Sequence, residues 1–175
     1  LMPYLDQANI ACGAHAGGPE LMRSIVALAR QHDVSIGAHP GYPDREHVGR
    51  ESLSATQDQI QAWVTEQVER LAAMSPVDYV KPHGALYHGM HQQPTVMEAI
   101  RRAVGELPLM GPAPLAEGLG WSEAFADRRY QADGTLVPRS EARSVLNETE
   151  TLAQVRQLIS DGSVTTDSGG TLALE

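Results

Sequence analysis

Apolar residues fall along this chain in short clusters and in longer stretches with helical spacing. The clearest short runs, at 8–12, 34–38 and 78–81, each lead into a segment that contains glycine or proline. Such runs predict buried β-strands that end in loops. Weaker runs predict further strands, which brings the total to about six. These weaker runs lie at 107–110, 121–126 and 145–146, and a last partial strand is predicted within 164–175.

Between these runs, apolar positions recur at the spacing of an amphipathic helix. One helix is predicted to begin at Pro19, because proline suits the first helical position, and to end near 32–33. A second is predicted to begin at Ser54, which forms a capping-box pattern with Gln57, and to end before Ser75-Pro76. Two more are predicted, over 94–104 and between Asn147 and Gly162.

The alternation of strands and helices predicts right-handed βαβ units around a parallel sheet. The predicted fold class is therefore α/β, as one parallel β/α barrel domain over 1–175 that is small or incomplete. An open, doubly wound sheet is the alternative. Segment 111–120 is rich in proline and glycine, so it is expected to be irregular or to lack residues.

A histidine follows each of the three clearest strands, in a segment that also contains glycine. These residues are His15, His39 and His83. Because the carboxyl ends of parallel strands open on one face, the three imidazoles are predicted to share a site. A single histidine after a strand is more often structural, but three in the same setting favour a common role.

Two chemistries remain open for such a site. In the first, a divalent metal is held by two or three of the imidazoles and a carboxylate, and a further position is left for water. In the second, no metal takes part, and a histidine or aspartate acts as general base on water. Asp44 and Asp127 are the candidate carboxylates, since both follow predicted strands.

Cationic side chains near these strand ends are candidates for binding a carboxylate or an oxyanion. Lys81 lies two residues before His83, so both side chains would point to the same side of a strand. The other two candidates are Arg50 and Arg128. Neither G-x-G-x-x-G nor G-x-x-x-x-G-K-[ST] occurs in the chain, so no glycine-loop nucleotide site is predicted.

Composition restricts the partners. The formal net charge is −9, which argues against nucleic acid as a partner, and no apolar run reaches membrane-spanning length. A single cysteine, Cys12, excludes an internal disulfide and is compatible with a reducing compartment, and a cytoplasmic location is expected. Position 1 is not methionine and the last residues resemble an apolar strand, so the sequence is expected to be part of a longer polypeptide.

Four ordered motifs resemble the LamB/YcsF family of bacterial proteins. They lie at 8–17, at 37–44 with Gly49-Arg50, at 81–87, and at 125–139. Family members usually also have an initial D-L-N-C-D-x-G-E strand and a final C-x-H-G-D strand. Because neither is present here, the N- and C-terminal strands of the full-length protein are expected to be absent from this chain.

The resemblance implies a seven-stranded β/α barrel similar to the glycoside hydrolase/deacetylase group. It implies hydrolysis of the lactam of 5-oxo-L-proline to L-glutamate, with ATP as co-substrate and with partner subunits B and C, and a homo-oligomer is a further expectation. On this hypothesis, the catalytic or metal-binding residues are the three histidines with the two aspartates, and Tyr87 joins the three cations as a substrate contact. Two alternatives are a metal-dependent carbohydrate or amide deacylase that acts alone, and a non-catalytic subunit that only binds substrate.

Overall fold

The computed structural model describes residues 1–112 and 120–174, and the chain divides into two compact units. The N-terminal unit is Leu1–Met110 and the C-terminal unit is Gly111–Glu175. Helices and sheets are both present, which confirms the α/β class. The single seven-stranded barrel stays a prediction, because the described strands form three separate sheets.

The sheet of the N-terminal unit is parallel, as predicted. It contains β1 (Gln7–Ala11), β2 (Ser35–His39) and β3 (Tyr79–Val80), in the order β1-β2-β3. A parallel bridge from Leu109 to Val80 extends the pairing at the position of the predicted fourth strand. The carboxyl ends of these strands therefore lie at one edge, where the histidine-containing loops begin.

A 3₁₀ turn (Met2–Tyr4) precedes β1, and four α-helices connect and cover the parallel strands. Their bounds are α1 (Pro19–Gln31), α2 (Gln57–Ala72), α3 (Gly84–Gln92) and α4 (Pro94–Val104). The predictions for α1 and α4 are confirmed. The helix α3 was not predicted, because its short sequence contains two glycines and lacks a side-chain cap.

The predicted start of α2 was wrong by two residues. The capping box is formed by Thr56 and Gln59, not by Ser54 and Gln57. The Thr56 hydroxyl accepts a hydrogen bond from the Gln59 amide at 3.2 Å, and the Gln59 side chain accepts one from the Thr56 amide at 2.8 Å. Both pairs fit the same S/T-x-x-Q pattern, so the sequence alone does not choose between them.

The core of the N-terminal unit is built from the apolar faces of these helices and from the strands. The fully buried side chains pack around β2 and β3, and include Ile10, Met22, Val64, Leu71, Tyr79, Leu86 and Ile100. This packing attaches the helices to the sheet and positions the loops at its carboxyl edge.

The C-terminal unit is less regular. The strand β4 (Met110–Pro112) begins at the last residue of the N-terminal unit and pairs with β5 (Trp121–Glu123), shorter than the predicted 121–126 strand. The predicted strand at 145–146 is a single antiparallel bridge between Val145 and Arg128. Most of the segment 111–120, for which an irregular or shortened course was predicted, lies outside the described residues.

Helix α5 (Glu148–Asp161) has the termini that the sequence predicted. Asn147 caps its start in a capping box with Glu150, and Gly162 ends it in the left-handed conformation, at φ 60°. The strands β6 (Ser163–Thr165) and β7 (Thr171–Ala173) then form an antiparallel pair, so the expectation of one parallel sheet does not hold here. In the described part of the chain, no helix has the length and apolar character needed to cross a bilayer.

Candidate active site

The structure brings the three predicted histidines together. His39 is the last residue of β2, His83 is the N-cap of α3 just after β3, and His15 lies in the loop after β1. Each offers one nitrogen that lies within 4.8 Å of the others. The ring centroids of His15 and His83 are stacked at 4.1 Å, and that of His39 lies edge-on, 4.8 Å from His83. We call these three residues the histidine cluster.

Backbone carbonyl groups orient two of the rings. His39 Nδ1 lies 2.6 Å from the carbonyl oxygen of Lys81, and its Nε2 lies 2.9 Å from His83 Nδ1. The second nitrogen of His83, Nε2, lies 3.0 Å from the carbonyl oxygen of Val48. The contacts therefore run in a chain from one carbonyl, through two rings, to another carbonyl.

Glycine residues allow the backbone to approach the rings closely. A Cβ atom at Gly41 would lie 2.7 Å from His15 Nδ1, and one at Gly49 would lie 2.8 Å from His15 Cβ. Gly49 also has φ +66°, a conformation that side-chain-bearing residues rarely adopt. Gly41 and Gly49 therefore have a packing role at the site.

Polar side chains missed by the sequence analysis hold the loops in place. Gln67, on α2, is 2% exposed and pairs with Gly41: its Oε1 accepts from the Gly41 amide at 3.0 Å, and its Nε2 donates to the Gly41 carbonyl at 2.8 Å. Arg45 donates to the carbonyls of Gly13 and Gly17. A signal for Gln67 was present, since it is a polar residue on the buried face between Val64 and Leu71.

The cluster is neutral at pH 7. Burial lowers the pKa of His15 to about 4 and that of His39 to about 3, and it also lowers the pKa of His83. The positive charges of Arg45, Arg50 and Lys81 act in the same direction. Neutral imidazoles can accept a proton or bind a metal, and the cations beside them favour an anionic ligand.

Comparison with known proteins identifies the relatives of this chain. The LamB/YcsF family model matches residues 1–175. The chain belongs to the LamB/YcsF family. It is 45% identical to the A subunit of 5-oxoprolinase from Vibrio campbellii, over 100% of this chain and 77% of the relative. It is 42% identical to the protein of that name from Chromohalobacter salexigens, over 98% of this chain and 77% of the relative.

A solved structure agrees with this assignment. The crystal structure of a lactam utilization protein from Thermus thermophilus superposes with a TM-score of 0.91 at 33% sequence identity. The match covers 99% of this chain and 78% of the Thermus chain. The LamB/YcsF resemblance based on four sequence motifs is thereby confirmed.

Other residues predicted for the site of this LamB/YcsF chain lie near the same strand ends. Asp44 accepts hydrogen bonds from the amide and the ring Nδ1 of His47, both at 3.1 Å, and these contacts lower its pKa. Its Oδ2 is buried and has no hydrogen-bond partner among the described residues. Lys81 and Arg50 follow β3 and Gly49 directly, and both contribute positive charge at His83.

Tyr87 lies on the buried side of α3, and it is 7% exposed. Its ring packs edge-on against that of His91, with centroids 4.6 Å apart. This contact places the ring in the packing of α3, and a role for Tyr87 in substrate binding stays a prediction.

Asp127 and Arg128 belong to the C-terminal unit, and their predicted membership of the site also stays a prediction. The Arg128 guanidinium is buried. Its Nε donates to the carbonyl of Ser144 at 3.2 Å and its Nη2 to that of Val137 at 2.6 Å. These contacts stabilise the loops of the C-terminal unit.

One cavity of the N-terminal unit has a volume of about 80 Å³ and lies next to Tyr42. Ser52, Ile60, Gln93 and Val96 are among its other lining residues, whereas the cluster histidines are not. We therefore assign the candidate site from the convergence of the side chains and not from this cavity.

The two ring nitrogens of His91, on α3, are buried without a hydrogen-bond partner among the described residues. Burial, with a smaller contribution from His88, lowers its pKa to about 4. The apolar periodicity of the sequence did not predict this burial, because it did not predict α3 itself.

We expect the stability of the protein to fall as the pH drops below about 6.5. In the folded chain the pKa values of His15, His39 and His91 are lowered to about 4, 3 and 4. The unfolded chain keeps ordinary values, so it binds more protons in this range. As the pH falls, each histidine therefore lowers the free energy of unfolding by up to about 1.4 kcal/mol per pH unit. Above about pH 7 this effect is absent, because the histidines are neutral in both states.

Urea unfolding of metal-free protein between about pH 7.5 and 5 measures this effect. In the matched variant His91→Leu, the free energy of unfolding should fall less steeply with decreasing pH, because one titrating histidine has been removed. A free energy of unfolding that is constant over this range would contradict the prediction.

Proposed function

We propose that this chain is the A subunit of an ATP-dependent 5-oxoprolinase, which hydrolyses 5-oxo-L-proline to L-glutamate. The observation that carries the proposal is the histidine cluster, three neutral imidazoles that converge at the carboxyl ends of parallel strands. It is supported by relatives named as the A subunit of 5-oxoprolinase at 41–45% identity and by the lactam utilization protein of similar structure.

In this proposal the cluster activates the water that attacks the lactam carbonyl carbon. A neutral imidazole accepts the proton of that water, and the depressed pKa values keep the cluster in its neutral form near pH 7. Asp44 and Asp127 are the proposed orienting carboxylates. Their contribution would be to fix the position of the rings and of the water.

The substrate carries one carboxylate, and cationic groups are proposed to bind it. Lys81, just after β3, and Arg50, in the loop after β2, both lower the pKa of His83, which supports this proposal because their charges reach the cluster. Arg128 and Tyr87 are proposed as further contacts. An anionic substrate would reduce the excess of positive charge around the neutral rings.

ATP is proposed to activate the lactam, because direct hydrolysis of an amide is slow. Transfer of the γ-phosphoryl group to the lactam oxygen gives an O-phosphorylated intermediate and ADP. Water then adds to the ring carbon, and the C–N bond breaks as the nitrogen takes up a proton, which leaves an acyl phosphate of glutamate. A second water hydrolyses this acyl phosphate to glutamate and inorganic phosphate. We propose that 5-oxoprolinase subunits B and C share this work in the cytoplasm and that the A subunit supplies the histidine cluster.

Reconstitution tests the proposed function. The chain should form glutamate from 5-oxo-L-proline only when ATP and subunits B and C are all present, with ADP released in equal amount. The chain alone, the chain with ATP, and subunits B and C without the chain are the three controls. Amide or acetyl-sugar hydrolysis by the chain alone, without ATP, would overturn the proposal in favour of the stand-alone deacylase.

A further inference from the structure

The contacts through His39 and His83 require more protons than two neutral rings carry. Their four ring nitrogens make three contacts, two with carbonyl oxygens and one with each other. Each contact needs one hydrogen atom, whereas two neutral imidazoles have two. One of the three contacts therefore lacks a proton.

The contact between the two rings is the one that lacks it. A carbonyl oxygen can only accept, so the two available protons belong on His39 Nδ1, facing Lys81, and on His83 Nε2, facing Val48. The lone pairs of His39 Nε2 and His83 Nδ1 then face each other at 2.9 Å. Two facing lone pairs repel each other unless a cation lies between them.

This arrangement matches the surroundings of metal-binding histidines. Such a histidine usually donates its second ring N–H to a carbonyl or carboxylate, which fixes the tautomer and leaves the other nitrogen free for the metal. His39 and His83 both have that carbonyl. The third member, His15, is 4% exposed, and its Nδ1 has no hydrogen-bond partner among the described residues.

We infer that His15, His39 and His83 together bind one divalent transition-metal ion, with Zn²⁺ as the expected occupant. Three neutral nitrogen ligands suit Zn²⁺, whereas Mg²⁺ and Ca²⁺ prefer oxygen ligands. The inference deepens the proposed function and rests on it for the role of the ion. When bound, such an ion polarises a carbonyl group and makes water more acidic.

The distances are compatible with this occupant after small adjustments. Tetrahedral Zn²⁺ separates its ligand nitrogens by roughly 3.3 Å, and His39 Nε2 and His83 Nδ1 are 2.9 Å apart. His15 must tilt out of its stack on His83, because in-plane lone pairs of parallel rings do not meet at one point. The positive charges of Arg45, Arg50 and Lys81 repel a metal ion at the cluster. We therefore expect an anion such as a carboxylate to strengthen metal binding.

Calorimetric titration of the chelator-treated chain with Zn²⁺ alone tests the inference without an activity assay. We expect one ion per chain and no binding of Mg²⁺. The variants His39→Gln and His83→Gln should each bind at least about ten-fold more weakly, since loss of even an outer-shell partner costs about 10–100-fold. His32→Gln, at the end of α1, is the matched control and should bind like the unmodified chain.

Two further measurements keep the outcomes separate. Circular dichroism shows whether each variant is folded, and bound Co²⁺ should give the intense visible absorption of a tetrahedral site, which the cluster variants lose. Absence of Zn²⁺ binding would overturn the inference. So would binding that survives in both cluster variants and disappears in His47→Gln, because His47 lies beside Asp44 and Glu51 on the surface.

The inference and the proposed function can fail independently. A chain that binds Zn²⁺ through the cluster but forms no glutamate with ATP and subunits B and C would overturn the function alone. A complex that turns over 5-oxo-L-proline, while the chain binds no Zn²⁺, would overturn the metal site alone.

Discussion

Replacement of His83 by alanine is expected to lower the turnover number of the assembled 5-oxoprolinase by about 10²- to 10⁴-fold, the usual contribution of a positioned general acid or base. His83 contacts His39 at 2.9 Å and stacks on His15, so its removal breaks the chain of contacts and exposes both remaining rings. The effect is expected in kcat more than in KM, because the cluster is proposed to act on water and not on the substrate carboxylate.

Steady-state kinetics of the reconstituted complex measures the changes in kcat and in KM separately. His32→Ala is the control, since it replaces a histidine at the end of α1 and should leave both constants unchanged. A normal kcat together with a raised KM for 5-oxo-L-proline would contradict the catalytic role. That outcome would instead support the alternative in which the chain only binds substrate and delivers it to its partners.

Replacement of Gly37 by alanine is expected to destabilise the N-terminal unit by about 3 kcal/mol, at the upper end of the usual cost of overpacking. A Cβ at Gly37 would lie 2.2 Å from Cζ and 2.3 Å from Cε2 of the Tyr79 ring. That ring is fully buried, and Gly37 pairs with both neighbouring strands in the middle of the sheet. Neither the ring nor the strand can therefore move aside cheaply.

Urea unfolding of the purified chain measures the loss of stability. Gly18→Ser is the matched control, because its Cβ meets nothing within 4 Å and serine suits the N-cap of α1. In the double variant Gly37→Ala with Tyr79→Leu, the clashing ring atoms are gone, so the combined loss should be smaller than the sum of the two single losses. Additive losses, or a stable Gly37→Ala chain, would contradict this explanation.

Prediction of the convergence of the three histidines succeeded, because a local pattern was enough. Each histidine follows a recognisable strand, and parallel strands end at a common edge, so convergence followed once the βαβ pattern was identified. The same reasoning identified α1, α4 and both termini of α5, because proline, asparagine and glycine have strong positional preferences.

Prediction failed where several local solutions have similar energy. Two capping boxes were possible at the start of α2, and a residue two positions later was the true cap. The helix α3 has two glycines and no side-chain cap, so its stability comes from the burial of Leu86 and Met90 and not from its own sequence. The burial of His91 was not predicted for the same reason.

The sequence by itself determined the family, the α/β class and the identity of the three histidines, since these depend on residue type and on order along the chain. Only the tertiary structure decided which ring nitrogen faces which partner, that Gln67 holds Gly41, and that Gly37 must lack a side chain beside Tyr79. The physical reason is distance along the chain. These contacts join residues 26 to 44 positions apart, and local preferences carry no information about side chains that meet only after folding.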